Sequence, residues 1–134
     1  MLAIATTLLY SAAFFLAFYR KLEFRFKAVC TIVLFCLLGI ILTVVLGPIG
    51  GGRLWLFSTT IIAAFLLGNR GAAAAFGANV LIHIGLYFLL RADILHWHEF
   101  YGVGAEVWIA HSTNFILLNL VVVICNVIFL EGFI

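Results

Sequence analysis

Five long apolar runs, joined by loops too short to cover them, leave this chain one solvent, and that solvent is lipid. The runs cover residues 1–19, 28–47, 52–68, 72–90 and 107–130. A helix rises ~1.5 Å per residue and the hydrocarbon core is ~30 Å thick, so a crossing takes about 20 residues. The third run is the short one. Its apolar part is only Leu54 to about Leu67, and it reaches a crossing only by taking in Gly51–Arg53 and Gly68–Asn69; a tilted or partly re-entrant helix is the expectation. With 67% of residues hydrophobic and 9% charged, a soluble domain of 134 residues could not bury its apolar surface. The first run begins at Met1 with no basic n-region and no small-residue cleavage site, which points to a retained span rather than a signal peptide. The expected fold is all-α: a polytopic membrane helix bundle of about five transmembrane helices, with residues 1–134 forming a single transmembrane domain.

The loops set the expected orientation. The first carries Arg20, Lys21, Arg25 and Lys27, and the third carries Arg70, whereas the second and fourth carry only Arg53 and Arg91. Basic residues favour the cytoplasmic side of short loops. The pattern therefore predicts an N-out, C-in bundle in a bacterial inner (plasma) membrane. Phe24 and Phe26 interleave the basic loop, and this mixture suits anionic lipid headgroups rather than nucleic acid. The fourth loop is the longest polar stretch, with Asp93, His96, His98, Glu99 and Glu106, and with Trp97 and Tyr101 expected as interfacial anchors.

Polar side chains inside apolar runs are costly and face the bundle interior. Asn79 and His83 stand four apart, hence on one helix face. They serve either as interhelical hydrogen-bonding groups or as a pair that senses a ligand or a proton. The last run contains His111, Ser112, Thr113, Asn114, Asn119 and Asn126. Ser112, Asn119 and Asn126 recur every seven residues and make a polar seam, for packing within the chain or for a homodimer through the last helix. The candidate sensing residues are Arg53, Asn79, His83, His111, Asn114 and Asn119.

Other chemistries find little support. His83 and His111 look offset in depth by more than a helical turn, which argues against a bis-histidine haem. His96 and His98 with the nearby carboxylates are a conceivable cation site, but HExxH and CxxC spacings are both absent. No metal and no cofactor is expected. Cys30, Cys36 and Cys125 fall inside apolar runs and read as small hydrophobes. No nucleophile elbow, phosphate loop or intramembrane carboxylate pair is present, so no catalytic residue is assigned.

The sharpest local signal is the break after the second run. Gly47, Pro48, Gly50, Gly51, Gly52 and Arg53 interrupt the apolar text, which resumes at Trp55. The chain's only proline lies here, and the glycines suit a tight turn. Gly68-Asn69-Arg70-Gly71 reads as a second tight turn. The string Gly47–Phe57 resembles a GPxGxGRxWLF pattern in the N-terminal membrane region of bacterial, PAS-containing sensor histidine kinases. Leu66–Ala72 resembles the LLGxRxA turn that follows it, with Asn79 as its next asparagine. Asn114–Asn119 resembles the NFLLLN of the last span, and Phe129–Phe133 the LLxGL that closes the membrane region. The resemblance spans roughly residues 20–134.

It implies a membrane input and anchoring module that transmits a signal to a cytoplasmic PAS or kinase output on its C-terminal side. These residues hold neither a phospho-accepting histidine nor ATP-binding glycine boxes, so kinase activity does not carry over to them. Two other readings stay open. One is an accessory subunit of a membrane complex, with or without haem; the other is a small oligomeric carrier, which the lack of an intramembrane carboxylate disfavours.

Overall fold

The computed structural model describes residues 4, 7–12 and 23–132. The remainder of the expected first span, Arg20 and Lys21 lie outside the described residues. Four helices follow: α1 (Phe24–Leu46), α2 (Gly52–Arg91), α3 (Trp97–Tyr101) and α4 (Ala105–Gly132), with a 3₁₀ turn at Gly47–Ile49 between α1 and α2. No strand occurs among the described residues. Among the described residues, three helices are long and apolar enough to cross a membrane: Phe24–Ile49, Gly52–Arg91 and Ala105–Phe129.

The 40-residue α2 is not one rod. In a straight helix the 23 residues between Leu56 and Asn79 would hold them ~35 Å apart. Instead Asn79 Nδ2 donates to the Leu56 carbonyl at 2.8 Å. The helix reverses at Gly68, whose φ of 70° and ψ of −162° lie in a region essentially closed to residues with a Cβ. So α2 is a helical hairpin with a first arm at residues 52–67 and a second at 69–91. The sequence predicts a four-residue turn with two glycines here. One glycine suffices: Gly71 is not among the positive-φ residues, and Asn69 and Arg70 already belong to the second arm.

Each interface follows from a stripe. On the second arm the buried residues are Ala72, Ala75, Asn79, His83, Leu86 and Leu90, at intervals of three and four. On α4 they are Trp108, Ser112, Phe115 and Asn119. These stripes set the hairpin against α4. The first arm meets α1 through small residues. A Cβ added to Gly52 would collide with Thr43 and with the Gly39 carbonyl, so this backbone approach requires glycine. Thr43 Oγ1 is satisfied by donating to the Gly39 carbonyl at 2.8 Å.

The direction of α4 can be read from its contacts. Arg53 lies over Trp108, and Phe57 meets Phe115 edge-on at 6.4 Å. Ascending numbers on both segments make α4 parallel to the first arm, and so antiparallel to the second. Arg25 and Arg70 line one hollow, together with Leu66, Leu67 and Gly71, at the hairpin's turn end. Arg53 stands at the opposite end. α4 therefore begins near Arg53 and runs toward the Arg25 and Arg70 end.

Candidate functional site

Among the described residues, several of the sequence-selected side chains meet around His83, where three helical segments converge. His83 is 1% exposed although it lies mid-helix in an apolar segment. Its ring is sandwiched on α4: Phe115 stacks at 4.5 Å and Trp108 at 5.4 Å, with interplanar angles of 21° and 9°. Trp108 Nε1 donates to the His83 carbonyl at 3.2 Å. His83 Nδ1 lies 2.9 Å from the Asn79 carbonyl. A carbonyl only accepts, so Nδ1 carries the proton in the neutral ring. Nε2 is then left with a lone pair, and it is buried with no partner.

One turn earlier, Asn79 ties the hairpin together. Its Nδ2 donates both to the Leu56 carbonyl and to Thr60 Oγ1, at 2.8 and 2.9 Å. These two bonds cross-link the arms of the hairpin. Asn79 Oδ1 stays unpartnered.

Arg53 turns inward. Its guanidinium donates to the Pro48 carbonyl at 2.6 Å and sits 5.5 Å from the centre of the Trp108 ring. That spacing is a cation–π contact. A column results, running Arg53, Trp108, His83, Phe115 and Phe57, which links the glycine-rich break to mid-bundle.

The break itself is well ordered by its neighbours. Gly50 N–H closes the turn onto the Gly47 carbonyl at 3.1 Å, and Pro48 is buried. A Cβ at Gly47 would fall 2.7 Å from the Tyr101 ring, so α3 folds directly over the turn. Trp97 donates from Nε1 to the Val44 carbonyl at 3.2 Å and packs on Trp108 at 5.2 Å. The expectation of Trp97 as an interfacial anchor is therefore replaced: it is a 4%-exposed core residue with Leu86, Leu90, Val103 and Trp108. Trp55 is part-buried and packs against Phe35 at 5.3 Å and Tyr10 at 6.0 Å.

Of the six candidates, Asn79 and His83 form the nest and Arg53 joins it through Trp108. Asn119 is fully buried further along α4, with both amide atoms unpartnered. His111 and Asn114 are exposed on α4 and stand outside the cluster. Arg70 is exposed at the turn end. Among the described residues no three of His, Cys, Asp and Glu converge as metal ligands, and the side chain of His98 lies outside that description. Trp108 was not selected from the sequence. Its signal was available, since it precedes Ser112 by four residues on the seam.

The sequence model of the MASE11 family matches residues 1–133. No curated protein and no solved structure is detectably similar to the chain.

Proposed function

Because this chain belongs to the MASE11 family, and MASE domains are membrane-associated sensor domains of bacterial signalling proteins, we propose that it is the input module of such a protein, held in the inner membrane as a multi-pass bundle and coupled through α4 to a cytoplasmic output. The observation that carries this reading is the family match over nearly the whole chain. The arrangement N-out and C-in is supported by the charges: Arg25 and Arg70 share one end of the bundle, and α4 runs toward it. About five crossings fit α1, the two hairpin arms, α4 and the first apolar run. The output is a histidine kinase with PAS domains, as the resemblance around Gly47–Phe57 implies. In this reading a stimulus biases two packings of α4 on the hairpin, and the nest around His83 is where that packing is set.

The test has two separable parts. A cytoplasm-active reporter fused after Ile134 should be active, and a periplasm-active one silent; the reverse outcome overturns the orientation. The native full-length signalling protein, purified with ATP, should phosphorylate itself on histidine. A full-length protein with a different cytoplasmic output would overturn the kinase assignment and leave the input role standing.

A further inference from the structure

Between the second arm of α2 and α4 lies a groove of about 420 Å³. Its walls are mostly apolar and aromatic, including Tyr87, Phe88, Trp108 and Ile116. Besides Tyr87, three polar residues line it, His83, Ser112 and Thr113; Thr113 is exposed, whereas His83 and Ser112 end in buried atoms without a partner, Nε2 and Oγ.

Neither orphan is explained by ordinary helix chemistry. A serine or threonine inside a helix usually donates to the carbonyl four residues back. Thr43, Ser58 and Thr59 all do so in this chain, at 2.8 Å each. Ser112 does not, so its hydroxyl is available. His83 is held with Nδ1–H on the Asn79 carbonyl and its ring clamped between Trp108 and Phe115, so it cannot turn away to satisfy Nε2. The groove's wall thus holds a fixed acceptor, the Nε2 lone pair, and a hydroxyl that can donate. One chemical group answers both: a hydroxyl, which donates its proton to Nε2 and accepts from Ser112. Ile84, Phe88 and Ile109 border the groove and are exposed on the outer surface of the bundle, so the approach is from the side. In a membrane, that side is lipid.

We propose that this groove binds a lipid-soluble phenol or alcohol from the bilayer, with its hydroxyl between His83 Nε2 and Ser112 Oγ and its apolar body along Tyr87, Phe88 and Ile116. A pocket of this size suits a small molecule. The sensory reading explains why such a site would be kept, but binding can fail while that reading stands, because the test uses no output.

The test uses the protein in lipid nanodiscs, with 4-nonylphenol and its methyl ether as probes. The ether has the same skeleton and no donor hydrogen. Binding is measured against empty nanodiscs, and the ¹⁵N resonance of His83 Nε2 is followed in parallel. The phenol should bind saturably and at least about tenfold more tightly than the ether, the factor that one buried hydrogen bond supplies. The phenol alone should move the Nε2 resonance in the direction of an accepted hydrogen bond. Ser112→Ala, which removes a single unpartnered oxygen, should weaken phenol binding severalfold. Equal binding of phenol and ether, an unmoved Nε2 resonance, or an unaffected Ser112→Ala protein would each overturn the proposal. So would a Soret band in the purified protein that vanishes in His83→Gln, since Nε2 would then be an axial ligand.

Discussion

Two polar stretches face each other across the hairpin–α4 interface, and they are built in opposite ways. On the second arm of α2, Asn79 and His83 are tied into the structure by hydrogen bonds to Leu56, Thr60 and the Asn79 carbonyl, and by stacking against two rings. On α4, Ser112, Asn119 and Asn126 form the seven-residue seam, and Ser112 Oγ, both Asn119 amide atoms and Asn126 Nδ2 are buried without partners. Both stretches are buried and both lie in apolar helices. The first is held in one geometry by these contacts, although Asn79 Oδ1 and His83 Nε2 are themselves left without partners. The second carries an unmet demand for hydrogen bonds, and a small rotation or slide of α4 that met it would lower the energy. The asymmetry is between a face welded at most of its polar atoms and one with four buried polar atoms unpartnered.

The largest expected effect tests the frame of the welded side. Gly68→Ala places a Cβ at a φ of 70° with ψ of −162° and should cost about 2–3 kcal/mol, read by denaturant titration in micelles. An unchanged midpoint would mean that the reversal is not fixed by Gly68. Next, Asn79→Ala removes both cross-arm hydrogen bonds and should cost about 2 kcal/mol in the same assay. Asn119→Leu should move the other way, neutral or up to about 1 kcal/mol stabilising, because it removes an amide that has no partner. A loss comparable to Asn79→Ala would break the contrast between the two faces. The smallest effect belongs to Asn114→Ala on the exposed side of α4, within about 0.5 kcal/mol of zero.

Much of this was legible beforehand. Apolar run length and the Gly-Pro and Gly-Asn-Arg-Gly breaks gave the helical segments and both turns, since lipid allows few alternatives. The spacing of Asn79 and His83 gave their shared inward face. Helix phase was legible but underused. His111 and Asn114 each precede a buried residue of α4 by one position, Ser112 and Phe115, about 100° around the helix, and both come out exposed. They had been selected by residue type rather than by phase. What no local pattern carried was the inward turn of Arg53 and the burial of Trp97. Amphipathic residues beside a turn usually anchor at the interface. Here α3 folds over the turn and brings Trp97 to the Val44 carbonyl of α1, while the Trp108 ring of α4 meets Arg53. Those partners are distant in sequence and appear only once the chain has folded.

The one-residue reversal at Gly68 also constrains how the protein is made. The first arm, residues 52–67, is only about 24 Å long, short of a ~30 Å hydrocarbon core. With no loop between the arms, the ribosome delivers the second arm immediately behind the first. Asn79 can claim the Leu56 carbonyl only when both arms are present. The hairpin is therefore suited to enter the bilayer as a pair, with its polar cross-link already closed, rather than as two helices threaded one after the other.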